Sequence, residues 1–380
     1  MNLLLFTLEC PPFKGGVANY YGNLVGRWPT YAKASVGKSD EIFVLHNNEG
    51  QLIKKWLPIK WLPAIWQLYI KIKKEKIDHI IVGHILPLGT AVYFVSKITR
   101  TPYTVFLHGM DLAYAQKLPR KSKLAYKILA KAENIICVNN YTADLTRKFL
   151  KENQYEKIKV VHPGIDPELE IDNQLTEELR FKHNLTNKIV LFSVGRLVKR
   201  KGVDNVIKAM PEILKSAPNL YYIIAGDGPD KIYLKELARG INNVIFLGEV
   251  ADKEKWAWLS LCDIFIMPAR NIDGDFEGFG IVYLEANLAG KPVIAGDSGG
   301  TKDAVQGAYS GILVDPENIS RIAGAVIGLA QDAKLRIKLG EQGRERAINE
   351  FNWEKQIDKI YNVIHRLPER LPAQAGSEGS

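Results

Sequence analysis

Ile189-Val-Leu-Phe-Ser-Val-Gly-Arg-Leu-Val-Lys-Arg-Lys-Gly202 begins as an apolar run, breaks at Gly195, passes through a basic loop and reaches a second glycine before a helical stretch. A short apolar run without polar alternation is the pattern of a strand buried on both faces. Strand, glycine turn and helix in that order form one unit of a parallel α/β sheet. The unit recurs outward in both directions. Downstream, strands are predicted at Leu220–Ala225, Val244–Leu247, Ile264–Met267, Pro292–Ala295 and Gly311–Val314. Upstream they are predicted at Leu3–Leu8, Glu41–His46, His79–Gly83, Tyr103–Leu107, Asn134–Val138 and Ile158–His162. Helical stretches fall between them, among them Ala64–Lys76, Thr90–Thr99 and Ser122–Ala132.

The two series are separated by Pro163-Gly-Ile-Asp-Pro167, and the polar, acidic Glu168–Arg180 that follows carries no strand signal. The expected fold class is α/β: two Rossmann-like parallel-sheet domains facing an interdomain cleft. The expected domains are residues 1–165 and 166–352, then a helix over 353–370 crossing back to the first domain, then a disordered tail over 371–380. Ligands of such sheets bind beyond the carboxyl ends of the strands, so two opposed sheets place a site in the cleft.

The chain has 380 residues, 46% hydrophobic and 24% charged, enough for a core in each half. No run reaches the roughly 18 apolar residues of a membrane span. Met1–Leu8 is apolar but lacks a basic leader and meets Glu9 and Pro11-Pro12, so it reads as a strand and not a signal peptide. Cys10, Cys137 and Cys262 are far apart and odd in number, which points to reduced thiols in the cytoplasm and no zinc site. Charge is divided unevenly. Residues 1–165 carry 24 Lys and Arg against 11 Asp and Glu, and the remainder carries 27 against 31. The +9 total therefore hides a basic first half that suits an anionic surface.

Two elements carry chemistry. In the loop after Ser193-Val194, Arg196 can grip a phosphate through paired N–H groups, and Lys201 adds a point charge. The second element is Asp273-Gly-Asp-Phe-Glu277-Gly-Phe279-Gly280-Ile281-Val-Tyr-Leu-Glu285. Its glycine-rich part enters a helix, so free amides near Phe279–Val282 face an anion with the helix dipole behind them. Glu277 in the loop and Glu285 one turn into the helix suit sugar hydroxyls, which donate to carboxylates. Asp273-Gly-Asp275 looks like a metal-holding pair but reads as a polar turn, and no metal is expected because Arg196 and Lys201 already supply positive charge.

These segments resemble the retaining GT-B glycosyltransferases of family four. The resemblance rests on the Gly195-Arg196 loop and the Glu277/Glu285 spacing, joined by Gly15-Gly16, His108-Gly-Met-Asp111, Val161-His-Pro-Gly-Ile-Asp166 and Asp297-Ser-Gly-Gly300. It implies that Arg196 and Lys201 hold the diphosphate of a nucleotide-sugar donor. Glu277 meets the donor sugar with the Phe279 and Gly280 amides, and Glu285 meets the ribose. The base lies near Gly248–Val250, His108 faces the sugar from the first domain, and Gly16 admits backbone close to phosphate. It also implies no metal and no cofactor beyond the donor substrate. The Glu277–Glu285 signature looks nearest to phosphatidylinositol mannosyltransferases, which makes GDP-mannose the first expected donor and a lipid-linked or glycan molecule the acceptor. UDP-glucose or UDP-N-acetylglucosamine with a soluble acceptor is the alternative.

Lys54-Lys-Trp56-Leu-Pro-Ile-Lys-Trp61-Leu-Pro-Ala-Ile-Trp66 interleaves lysines with three tryptophans, and Lys117-Leu-Pro-Arg-Lys-Ser-Lys123 adds a second basic stretch. Interfacial Trp with Lys fits peripheral contact with an anionic bilayer at its cytoplasmic face. The competing reading is an ordinary core helix over Ala64–Lys76. Three other functions compete with this one. Gly226-Asp-Gly228-Pro-Asp-Lys231 nearly spells a dinucleotide fingerprint, but Lys231 replaces the last glycine. A non-catalytic nucleotide-sugar sensor is opposed by intact Arg196, Lys201, Glu277 and Glu285. Nucleic-acid binding is not expected, since no zinc or helix-turn-helix signature accompanies the basic half.

Overall fold

The computed structural model describes residues 1–13, 15–36, 40–54, 56–168 and 171–366, and the side chains of 29–36 are left undescribed. The tail expected over 371–380, the end of the helix expected to 370, and Lys55 lie outside the described residues. Twelve strands form two parallel sheets of six. The first contains β1 (Asn2–Phe6), β2 (Glu41–Leu45), β3 (His79–Val82), β4 (Tyr103–Leu107), β5 (Asn134–Cys137) and β6 (Ile158–Val160), in spatial order β2-β1-β3-β4-β5-β6. The second contains β7 (Ile189–Val194), β8 (Leu220–Ala225), β9 (Val244–Gly248), β10 (Ile264–Met267), β11 (Val293–Gly296) and β12 (Gly311–Val314), in order β12-β11-β10-β7-β8-β9. All twelve lie where the apolar runs placed them, five with the same bounds and the others shifted by one or two residues at their ends.

The strand order changes direction between β1 and β3 in one sheet and between β7 and β10 in the other. At such a switch point adjoining helices leave to opposite faces and open a crevice. The loops after β7 and β10 therefore border the second crevice, and those after β1 and β3 the first. Apolar clusters cover both faces of each sheet. One of them joins Leu3, Leu5, Phe106 and Ile136 of the first sheet to Trp353, Ile357, Ile360 and Tyr361 of the last helix, Trp353–His365. The chain enters the second half at Ile165, whose N–H donates to the Phe351 carbonyl (2.7 Å). Its two passages between halves thus run side by side. After the first passage the acidic segment forms helix Asn173–Lys182, N-capped by Asp172.

Candidate active site

The loop after β7 is shaped by Gly202. Its φ of +73° is left-handed, and a Cβ there would stand 2.1 Å from the Pro268 carbonyl oxygen, so only glycine fits. Gly202 caps helix Val203–Ser216, and Lys199–Lys201 form a single tight turn before it. That turn aims Lys201 Nζ at Glu277 Oε2 (2.7 Å) and brings Arg200 Nη1 to the same oxygen. Arg200 Nε also pairs with Asp275 (3.0 Å). Burial alone would push the Glu277 carboxyl up, but Lys201 and Arg200 outweigh it and hold it below the ordinary carboxylate range. Glu277 is therefore an ionised acceptor at neutral pH. Arg196 is exposed at the carboxyl end of β7 and has no ion pair among the described residues.

Arg200 was not singled out in the sequence, where it is one cation among several. The clue was its position in a loop that must meet two acids of the Asp275–Glu277 stretch. The Asp273-Gly274-Asp275 stretch is a closed turn, with reciprocal backbone hydrogen bonds between Ile272 and Asp275 (2.9 and 2.8 Å). Beyond Glu277 the chain reaches Gly280, left-handed at φ +78°, and starts helix Ile281–Leu288. First-turn amides of a helix have no partner within it, so the Phe279–Val282 backbone presents donors beside Lys201. Phe279 is buried, stacks on His162 (5.5 Å) and packs at a tilt against Phe351 (5.9 Å). Ile281 is partly exposed. One turn on, Glu285 pairs with Lys255 (2.9 Å).

Gly248 and Val250 sit at the carboxyl end of β9. The Gly248 carbonyl accepts from Gly226 N–H (2.6 Å), and Val250 packs on the core. The near-fingerprint Gly226-Asp-Gly228 is a brace for the phosphate-suited loop. Leu197 N–H donates to the Asp227 carbonyl (2.8 Å), and Gly226 and Gly228 lie directly against the Gly195 and Leu197 backbone. Its glycines are thus explained by close packing rather than by a dinucleotide.

His108 follows β4 directly and sits between the edges of Tyr20 and Tyr21 (5.4 and 5.5 Å). The single Tyr21 hydroxyl proton is donated to the Gly83 carbonyl (3.1 Å). The 2.9 Å contact with His108 Nε2 then requires the proton on that nitrogen, leaving Nδ1 as an acceptor. Burial, helped by His84, lowers the His108 pKa to about 3, so the ring is neutral at physiological pH. A Cβ on Gly278 would stand 2.7 Å from the His108 carbonyl oxygen, which sets the His108 loop against the Glu277 loop across the domain boundary. Gly16 opens helix Gly16–Val36 with free space around it, and no described contact ties it to the Glu277 loop.

Buried neutral histidines have a measurable consequence. Burial lowers His79 and His84 to about 4 and His108 to about 3, against an ordinary 6.5. The unfolded chain therefore binds more protons below pH 6.5, and stability contributed by these rings is lost as pH falls toward 4. Asp111, raised to about 6 by burial, has the opposite sign and offsets about one proton in that window. The midpoint of thermal unfolding is expected to drop steadily from pH 6.5 to 4.5, with net proton uptake on unfolding near pH 5. A flat midpoint over that range contradicts the assignment.

A family model described as glycosyl transferases group 1 matches residues 176–346, and one described as glycosyltransferase family 4 matches residues 37–169. The GDP-mannose-dependent alpha-(1-6)-phosphatidylinositol monomannoside mannosyltransferase of Mycobacterium tuberculosis H37Rv is 29% identical, over 96% of this chain and 98% of the relative. Its monoacylated-substrate counterpart in Corynebacterium glutamicum is 28% identical over the same shares. Among solved structures, Anabaena Alr3699/HepE in complex with UDP-glucose superposes with a TM-score of 0.75 at 20% identity, covering 96% of this chain and 100% of that one. A glycosyltransferase from Rickettsia africae gives 0.78 at 19% identity, covering 96% and 98%. These two structures share the two-sheet GT-B fold.

Proposed function

The chain belongs to the group 1 glycosyltransferases of family four, and from that premise we propose that it moves mannose from GDP-mannose to a lipid-linked or glycan acceptor with retention of configuration. The observation that carries the reading is the ionised Glu277, held by Lys201 and Arg200 at the mouth of helix Ile281–Leu288 and facing the His108 loop. A cationic loop, free amides and a fixed carboxylate converge there, as a diphosphate joined to a sugar requires. The donor preference rests on the two mannosyltransferase relatives, similar over nearly their whole length. The HepE complex with UDP-glucose supports UDP-glucose as the second donor to try.

In this reading Arg196 and Lys201 neutralise the diphosphate as the glycosidic bond breaks, without a metal or a separate cofactor. The amides of Phe279, Gly280 and Ile281 add preorganised donors on the same side. Glu277 accepts from the sugar hydroxyls and Glu285 from the ribose, shared with Lys255. Gly248 and Val250 flank the base, while Gly16 leaves room for backbone near the phosphate. Neutral His108 offers Nδ1 as an acceptor to a sugar hydroxyl. The departing phosphate oxygen takes the acceptor proton on the same face of the ring, so the protein supplies position and charge. A donor-hydrolysis screen over GDP-mannose, UDP-glucose and UDP-N-acetylglucosamine, with Arg196→Ala and Glu277→Ala in parallel, tests the site. GDP-mannose should turn over fastest and both substitutions should abolish it. Unchanged turnover in both variants rejects the assignment.

The acceptor side supports peripheral docking on an anionic, cytoplasm-facing bilayer. No described helix is long and apolar enough to cross a membrane. Helix Leu62–Glu75 buries Ala64, Leu68 and Ile72 in the first domain, so the core reading holds for one face. Other residues face outward: Trp56 is 79% exposed, Trp66 66%, and Ile98 of the neighbouring helix Leu88–Thr99 72%. Trp61 stacks on the half-exposed Phe94 (6.2 Å), joining the two helices into one apolar patch. Lys60, Lys73, Lys74 and Lys97 belong to the same segments. Sedimentation with phosphatidylglycerol vesicles should exceed that with phosphatidylcholine and weaken in high salt. The double variant Trp56→Ser/Trp66→Ser should lose most of it. Equal sedimentation with both vesicles rules the docking out.

A further inference from the structure

We infer that Phe276 and Asn139 form a clasp across the domain boundary that positions Glu277 when the two domains close; the inference rests on the reading of Glu277 as the donor-sugar contact. Phe276 belongs to the loop between β10 and helix Ile281–Leu288, yet its ring is 1% exposed because the other domain covers it. It packs edge-on against Tyr141 (4.8 Å between centroids, 72°) and lies against Gly109 and Gly299. Its N–H donates weakly to the Met110 thioether Sδ (3.4 Å). Two residues on, the Gly278 carbonyl accepts from Asn139 Nδ2. Asn139 is fully buried and rigid, since its Oδ1 also caps helix Asn140–Phe149 by accepting from Thr142 N–H (2.7 Å). The residues on both sides of Glu277 are thus gripped by the first domain, while Lys201 and Arg200 grip its carboxylate from the second.

The arrangement divides binding from chemistry. The diphosphate loop, the helix N-terminus and Glu285 all belong to the second domain, so a nucleotide can bind whether or not the domains meet. The carboxylate that orients the sugar reaches its fixed place only with the first domain closed, when the acceptor wall is also present. Binding energy that assembles a site on closure limits hydrolysis of the donor before the acceptor arrives. A second contact nearby strengthens closure: Asn140 N–H donates to Asp303 Oδ2 (2.5 Å).

Two variants test the clasp. Phe276→Ala empties the socket. Asn139→Asp keeps the helix-capping oxygen but replaces the donor with a carboxylate facing a carbonyl, and it removes no core volume. Each is expected to lower kcat on the best donor about tenfold or more while Kd for GDP and UDP stays within twofold. Phe276→Leu, which refills the socket, should recover most of the loss. Amide hydrogen exchange without any ligand should speed up in both loops, 272–278 and 109–111, in either variant. Wild-type kcat in both variants, or a parallel loss of nucleotide affinity, overturns the clasp. Unchanged exchange at 109–111 overturns it as well. If Arg196→Ala and Glu277→Ala also leave turnover intact, the site assignment fails separately, and the exchange measurement still decides whether the clasp exists.

Discussion

Lys201→Ala is expected to lower kcat/KM by about two to three orders of magnitude, the typical cost of removing one preorganised charge from a developing anion. Lys201 has two tasks. In the proposed function it faces the donor diphosphate, and in the structure it pairs with Glu277 at 2.7 Å, where the carboxylate is only 12% exposed. Without it, Arg200 alone opposes the burial that pushes the Glu277 carboxyl up, so Glu277 spends more time protonated and orients the sugar less well. Leaving a buried charge short of a partner should also cost about 1–3 kcal/mol of stability, toward the low end because Arg200 remains. The double variant Lys201→Ala/Glu277→Gln separates the tasks. It should regain thermal stability over the single variant and no activity, since the unpaired charge is gone but so is the phosphate ligand. Steady-state kinetics and thermal unfolding of the parent and the two variants decide the matter. Turnover within threefold of the parent in Lys201→Ala removes Lys201 from the site.

The same pair shows where sequence reading stops. Strands such as Ile189–Val194 and Leu220–Ala225 were legible because a strand covered on both faces cannot alternate, and its apolar run ends where the chain reaches the glycine of a turn. Lys201 and Glu277 were legible as chemical types at the mouths of neighbouring units. That they touch was not, because 76 residues of chain separate them and the contact depends on β7 and β10 being adjacent, a pairing order the apolar runs do not encode. Arg200 was hidden for the same reason. Asp273-Gly-Asp275 was legible as a polar turn, but not that Arg200 would pair with Asp275. Lys255 was unreadable as the partner of Glu285, since it comes from another helix, Asp252–Leu261. The tryptophan segment was ambiguous because it has two sides: Ala64, Leu68 and Ile72 are buried in the core while Trp56 and Trp66 remain exposed. The clasp was the least legible feature. Phe276 reads as one more apolar residue in a motif, and its role appears only when the two domains are placed together.

Gly202→Val should be the most damaging single change to the fold of the donor half, and Gly248→Ala is its control. Both glycines are left-handed, with φ of +73° and +80°. That conformation costs an ordinary residue about 1–2 kcal/mol, and more for a β-branched one. They differ in surroundings. A Cβ on Gly248 meets nothing within 4 Å, whereas one on Gly202 would stand 2.1 Å from the Pro268 carbonyl oxygen. The chain at Pro268 cannot retreat freely. Arg270, two residues on, donates its N–H to the Arg200 carbonyl (2.8 Å), and its buried guanidinium pairs with Asp204 of the helix that Gly202 caps (2.9 Å). Displacing Pro268 therefore strains the Lys199–Lys201 turn and the Arg270–Asp204 pair together. We expect Gly202→Val to cost more than about 4 kcal/mol, in the range reserved for backbone clashes and broken buried pairs. In a domain of this size that lowers the unfolding midpoint by about 10 °C or abolishes soluble expression. Gly248→Ala should shift the midpoint by only about 2–4 °C. Equal effects of the two substitutions would mean that the close approach of Gly202 to Pro268 does not constrain the loop.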